Sequence, residues 1–494
     1  MKKIALLLLL VLIVFNLSAC IEKDIKDNGN TIDESTPLEF LDIFYVNDLH
    51  GAILPEGNRM GFAHIANLLI AQKQTYPENT LILSGGDMVH GSALSNHYLG
   101  ESMIHLMNAS LFDAMAIGNH EFDWGLETVS RYFNPESAHY VANFPMLGAN
   151  VHYKGTNDMP AGIDPYTIIT KGDMKIGIIG IIGYGLERSI STRFVEDYEF
   201  KNPVPIVKEY ATYLRTEEGV DLVLLLTHDA GGVNDAAFEF VGDAKVDAIF
   251  NAHSHRVESG FSYGIPAIQS GGYGSHVGHI RFEIDNKLVT DVTMSNYTQA
   301  TNGLLTSAHP GVQTLINQYV FETDAIFNEP IIYTNQTLYR NDLTYWMSTL
   351  MRTATNADIG FHNTGGTRTN IEGNAYITLS TLYDVWPFDN EVITTYLTGA
   401  QIKNLMGRLD YYSTEITYFN DTEYYKVATN DYLFFHNSYS FKDGTDSVET
   451  TLFLRDLAYY ELKNQALIYS TFSLSNPILT TYIPNQNNQE DTVN

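Results

Sequence analysis

The stretch Ala114-Met115-Ala116-Ile117-Gly118-Asn119-His120-Glu121-Phe122-Asp123 sets the reading of this chain. Four apolar residues closed by a glycine predict a short buried strand. The residues that follow present an amide, an imidazole and a carboxylate within five positions. The side-chain oxygen of Asn119 can bind a metal, His120 can hold or deliver a proton, and Asp123 can orient the imidazole. Alone, the stretch equally fits an ordinary turn. Its weight comes from four stretches of the same design elsewhere.

Asn47-Asp48-Leu49-His50-Gly51 follows the apolar run Leu41 to Val46, and Gly85-Gly86-Asp87 follows Leu81 to Leu83. Thr227-His228-Asp229 follows Leu222 to Leu226, and Asn251-Ala252-His253-Ser254-His255 follows Ala248 to Phe250. Segments between them, Phe62 to Lys73 and Ile206 to Thr216, carry apolar residues at helical spacing. Alternating strands and helices predict an α/β domain with a layered sheet. In such sheets, sites form beyond the carboxyl ends of the strands, so the five clusters should converge. The run Ile176 to Ile182 is glycine-interrupted and strand-like, but its spacing is not that of a dinucleotide fingerprint.

These residue types suit two divalent cations. Asp48 and His50, two apart, can grip one ion from a single loop, and His255 can join them. Asp87 has two oxygens and can bridge both ions, while Asn119, His228 and His253 complete the second. Mixed oxygen and imidazole donors favour Zn, Mn, Fe or Co over Mg or Ca. Two dications outnumber the negative charges of Asp48, Asp87 and a bridging hydroxide, leaving the site about one charge positive. That matters because the chain as a whole has a net charge of −30, which argues against a nucleic-acid polymer as partner.

The ordered set Asp48-x-His50, Gly86-Asp87, Gly118-Asn119-His120-Glu121, His228 and His253-x-His255 resembles the calcineurin-like metallophosphoesterases. The spelling of the first and third clusters is similar to that of bacterial 5'-nucleotidases within that group, and the likeness runs from about Leu41 to Tyr469. It implies an α/β N-terminal metallophosphoesterase domain, a layered β-sandwich flanked by helices, and an α+β C-terminal 5'-nucleotidase-type domain. It also implies that Asp48, His50, Asp87 and His255 hold one ion, and that Asp87, Asn119, His228 and His253 hold the other. His120 and Asp123 become the catalytic pair, and Glu121 receives no role. The implied reaction is hydrolysis of a nucleoside 5'-monophosphate by in-line attack of a metal-bound hydroxide. In it His120 stabilises the transition state or protonates the leaving group.

In the second half, Asn363-Thr364-Gly365-Gly366-Thr367-Arg368 pairs a close-approach glycine turn with a planar cationic fork. Trp386-Pro387-Phe388-Asp389-Asn390 sets an aromatic beside a turn. Both resemble substrate segments of the 5'-nucleotidases, which implies that Asn363 and Arg368 contact substrate and that Phe388 stacks on a base. Tyr432 can supply a second stacking ring, and Arg340 matches an upstream substrate arginine more loosely. The chain departs from the family's pattern at Thr367, at Asp389, at Ala252 and after Tyr432, where Gly-Gly-Asp is absent. These departures bear on the leaving group, not on the phosphoester chemistry. His64, His97, His105, His139, His276 and His279 read as structural or surface residues, and His90 as a candidate for lining the site.

The chain begins with Lys2-Lys3, an apolar run from Ile4 to Phe15, and Leu17-Ser18-Ala19-Cys20. This resembles a bacterial lipoprotein signal, with Cys20, the only cysteine, as the lipidated residue. The expected organisation is signal peptide 1–19, flexible tether 20–39, phosphoesterase domain 40–305, linker helix 306–328, substrate-binding domain 329–484 and disordered tail 485–494. The expected setting is extracytoplasmic, with the membrane reached through the lipid. Rivals on the same scaffold are a 2',3'-cyclic-nucleotide phosphodiesterase and a nucleotide-sugar hydrolase. A rival of another class is a surface lipoprotein that binds nucleotides without turning them over.

Overall fold

The computed structural model describes residues 37–229 and 231–476. The signal peptide, Cys20, most of the tether and the 485–494 tail lie outside the described residues.

The first domain is built on two six-stranded sheets. Strands β1 (Phe40–Val46), β2 (Thr80–Ser84) and β3 (Ala114–Ala116) run parallel in one sheet. Strands β4 (Leu222–His228) and β5 (Ala248–Asn251) run parallel in the other, with Met174–Ile182 beside β4. Their continuous apolar runs follow from burial on both faces. Leu41, Ile43 and Tyr45 of β1, Leu81 and Leu83 of β2, and Leu222, Leu224 and Leu226 of β4 meet in one core between the sheets. Their neighbours one residue along point the other way: Phe44, Val46 and Ile82 into a core under helices on one side, Val223 and Leu225 on the other. Helix Phe62–Thr75 supplies Ile65, Leu68 and Leu69 to the former, and helix Pro203–Thr216 supplies Val207, Ala211 and Leu214 to the latter. The second helix starts three residues before the expected Ile206, because Pro203 at its first turn is tolerated and Asn202 Oδ1 caps the Val204 amide at 3.1 Å. The buried Tyr45 hydroxyl donates to the Asn251 carbonyl at 2.7 Å and ties the two sheets together near their carboxyl ends.

Helix Pro310–Phe327 connects the halves, its first turn capped by His309 Nδ1 accepting from the Val312 amide. Val312, Ile316 and Tyr319 pack in the first domain's core, and Phe327 in the second's. The second domain has a five-stranded mixed sheet with the order Tyr411–Thr414, Ile359–His362, Tyr424–Asn430, Glu391–Thr398, Thr445–Phe453. Helices Arg340–Ala354 and Leu454–Ala466 cover one face through Trp346, Leu350, Leu457 and Leu462.

Candidate metal centre

The five clusters converge where β1 to β5 end. His228 is itself the last residue of β4, not a loop residue beyond it. Asp48, His50 and His255 bring ligand atoms together as one group, and Asp87, His228 and His253 as a second. In the first, His50 Nε2 and His255 Nε2 are 3.0 Å apart, and His255 Nε2 lies 3.5 Å from Asp48 Oδ1. In the second, His228 Nε2 lies 3.1 Å from Asp87 Oδ2, and the Asn119 amide oxygen sits 3.2 Å from His228 Nε2 and 2.9 Å from His253 Nδ1. Asp87 Oδ2 is also 4.0 Å from His50 Nε2, so it stands between the groups. The ring edges facing away are anchored: His228 Nδ1 donates to the Gly85 carbonyl at 2.7 Å, and His50 Nδ1 faces the His90 carbonyl at 3.3 Å. That fixes the tautomer that turns Nε2 lone pairs inward. This donor set fits two divalent cations.

The loops hold these side chains at a backbone cost. Asp48, His50, Asp87, His253 and His255 all have φ between 50° and 74°. Non-glycine residues avoid this left-handed region, at about 1–3 kcal/mol each. Glu121, without a role in the sequence pattern, explains how the geometry persists. It is fully buried, and its carboxylate accepts from the amides of Asp87 (2.9 Å), Met88 (2.9 Å) and Gly118 (2.7 Å). Asp87 Oδ1 in turn accepts from the His120 amide at 2.8 Å. Asp48 accepts from the His253 amide at 2.9 Å and from Asn47 Nδ2 at 2.6 Å.

For the protein groups alone, burial pushes Asp48 up to about 7, with Asp87 adding to the rise and His228 opposing it. Burial opposes charge on His228, but the Asp87 carboxylate outweighs it and lifts the imidazole to about 10. Burial holds His253 and His255 down at about 4. Asp87 and His228 thus offset each other's burial, as a cation between them would.

His120 Nδ1 lies 2.6 Å from Asp123 Oδ2, which leaves Nε2 facing the cluster, 3.9 Å from Asp87 Oδ2. The same Asp123 oxygen meets His90 Nδ1 at 3.1 Å, and the His90 ring stacks on that of His120 at 5.9 Å. Asp123 therefore carries two imidazoles. Only the three-residue offset of His90 from Asp87 hinted at this in the sequence.

A cavity of about 220 Å³ opens from Asn119, His120, Asp123 and His253 and is closed by Asn363, Arg368, Phe388 and Tyr432 of the second domain. Phe388 stacks on His120 at 5.7 Å, and Arg368 reaches back to the Tyr273 hydroxyl at 3.1 Å. Arg340 meets this wall through Thr364, which stands between the lining residues Asn363 and Gly365. Its Nε and Nη2 donate to the Thr364 carbonyl, Nε at 3.2 Å, which supports the glycine turn. Thr367 finds buried partners in His362 Nε2 and Trp386 Nε1, both at 3.2 Å, and Asp389 pairs with Arg455. His279 is structural as expected, bonded to Asp42 and Tyr297.

Residues 41–257 match the family model for the calcineurin-like phosphoesterases, and residues 332–418 match that for the 5'-nucleotidase C-terminal domain. The chain is 27% identical to an endonuclease, YhcR, of Bacillus subtilis (strain 168), over 77% of this chain and 33% of the relative. It is also 27% identical to a 5'-nucleotidase of Vibrio cholerae, over 74% of this chain and 75% of the relative. It spans 33%, 28% and 58% of the length of the first three curated relatives it matches. Among solved structures, a 5'-nucleotidase precursor from Thermus thermophilus shares the fold, with a TM-score of 0.72 at 18% identity over 86% of this chain and 96% of that one.

Proposed function

We propose, for a chain that joins a calcineurin-like phosphoesterase domain to a 5'-nucleotidase C-terminal domain, that it hydrolyses nucleoside 5'-monophosphates to nucleoside and phosphate. One observation carries the reading: Asn119, His253 and the His120–Asp123 pair open into a cavity whose far wall is Asn363, Arg368, Phe388 and Tyr432, and His50 of the other cluster lines a neighbouring pocket that shares His120, Arg368 and Phe388 with it.

Asp48, His50, Asp87 and His255 would hold one divalent cation, and Asp87, Asn119, His228 and His253 the other. When bound, the pair supplies Lewis acidity and lowers the pKa of water at the phosphorus. Arg368 offers a planar fork to the phosphoryl oxygens. Asp123 fixes the His120 ring by Nδ1, so that Nε2 can hold a proton for the leaving alkoxide. Burial opposes charge on His120, and Asp123 and Asp87 outweigh it, raising its pKa above the ordinary imidazole value. Phe388 and Tyr432 flank the space left for the base.

The test is a substrate panel with Mn²⁺ or Zn²⁺ supplied: 5'-mononucleotides, 2',3'-cyclic nucleotides and sugar nucleotides. Release of phosphate from 5'-mononucleotides is the expected result, and failure to hydrolyse any of them overturns the reading.

We further propose that the chain is a lipoprotein acting outside the cytoplasmic membrane, anchored through Cys20. The basic, apolar and small-residue order of residues 2–20 supports this. Radiolabelled palmitate should enter the wild type and not Cys20→Ser, and equal labelling would overturn it.

A further inference from the structure

The cavity has a wall that belongs to the first domain but to none of the metal-bearing loops. Ser189, Ser191 and Phe194 line it, on the segment that carries the short helix Thr192–Val195. This segment is fastened to the second domain on both sides of Ser191. The Arg188 carbonyl accepts from the Tyr432 hydroxyl at 3.2 Å and faces His436 Nε2 at 3.0 Å. Thr192 Oγ1 donates to the Phe435 carbonyl at 2.9 Å, and Arg193 pairs with the buried Asp431 at 2.7 Å.

Between these fastenings, the Ser191 hydroxyl is left with no partner, although the residue is only 8% exposed. It stands just before the helix yet does not cap it. Its neighbour Ser189 differs: that hydroxyl donates to the Leu186 carbonyl at 2.7 Å. An unspent buried hydroxyl is costly in a folded protein, and the cost is recovered when a ligand supplies the missing bond. With nothing holding its χ1 angle, the hydroxyl is free to turn toward a ligand, and it can both donate and accept. The surroundings indicate which part of the ligand it meets. Phe194 and Tyr432, the latter tied to the same segment, are apolar ring surfaces suited to a planar base, whereas the phosphoryl end lies with Asn119, His120 and His253.

We infer that Ser191 hydrogen-bonds the nucleobase of the leaving nucleoside, so that the first domain reads the base as well as the phosphate. This rests on the nucleotide reading above. Asn390 and Asp431 complete the polar edge, with Asn390 Nδ2 donating to Asp431 Oδ1 at 2.7 Å. The Asp431 Oδ2 atom lies 2.7 Å from Arg193 Nη2.

The test compares kcat/KM for the best nucleoside 5'-monophosphate with that for ribose 5-phosphate, which has no base, on the full chain supplied with Mn²⁺. Ser191→Ala should lower the ratio of the two about tenfold, mainly through KM, as expected for one lost hydrogen bond. Ser191→Thr, which keeps the hydroxyl, should recover most of it. A ratio within twofold of wild type in Ser191→Ala overturns the inference while leaving the nucleotide reading in place. A wild-type enzyme that hydrolyses p-nitrophenyl phosphate but no nucleotide overturns both.

Discussion

Glu121 and His120 are neighbours in sequence and do opposite kinds of work. Glu121 touches no space open to substrate. It gathers three backbone amides of two loops onto one carboxylate, at 2.7–2.9 Å. Glu121→Gln keeps the shape but turns an amide donor against those N–H groups. We expect a loss of about 2–3 kcal/mol from the stability of the first domain, because a buried donor is left unpaired. Urea denaturation measures it, and a loss under about 0.5 kcal/mol would contradict the bracing role. His120→Ala should instead keep both cations and lower kcat by about 10²- to 10⁴-fold, the usual contribution of a positioned acid. Metal content by plasma emission, read beside kcat, separates the two roles. Loss of metal in His120→Ala would make it a ligand.

The loops after β1, β2, β3 and β5 are the elements that define the centre, and they are tight. A Cβ on Gly118 would lie 2.2 Å from Asp87 Oδ1 and 2.6 Å from the Asp87 amide nitrogen. Gly118→Ala should therefore displace Asp87 and cost about 1–3 kcal/mol of stability together with most of the metal affinity. Wild-type metal affinity in that variant would show that the loop gives way without harm. The side chains they bring together with His228 set a pH dependence. His228, lifted to about 10 by Asp87, is an imidazolium at pH 7, and Asp48, raised by burial to about 7, is half protonated there. His253 and His255, held at about 4, are already neutral. A cation needs the unprotonated forms, so binding at pH 7 should release about one to two protons, and affinity should rise with pH until His228 titrates. Calorimetry in buffers of different ionisation heat counts those protons, and a buffer-independent heat would contradict the assignment.

Across the whole molecule, each domain has its own core, Ala93 of the first packs into that of the second and one helix joins them, while the cavity needs both. All seven candidate ligands lie in the first domain, so chelation should destabilise that domain alone. At a cation concentration of about 100 Kd, the lost stabilisation is about 2.7 kcal/mol. Scanning calorimetry with and without chelator should show the first domain's transition falling by several degrees and the second's staying in place. A uniform shift of both would mean that the domains unfold as one unit.

Much of the architecture was legible in the sequence, because each strand that ends in a candidate ligand announces itself twice. The apolar runs of β1, β2, β4 and β5 require burial on both faces, and the polar residues that end them name the chemistry. The candidate ligand types, their order and the pairing of His120 with Asp123 are readable from local spacing and from the convergence of strand ends in an α/β sheet. Tertiary structure alone decided the rest: the left-handed backbone of five candidate ligands, the bracing by Glu121, the second imidazole on Asp123 and the bond from Arg340 to the glycine turn. Glu121 meets the Asp87 amide across 34 positions, and Arg340 meets the Thr364 carbonyl across 24. The segment that carries Ser191 is fastened to the second domain through Thr192 and Phe435, 243 positions apart. No periodicity encodes such contacts. They arise only when packing sets the two sheets and the two domains against each other, and this is why the centre was written in the chain and its supports were not.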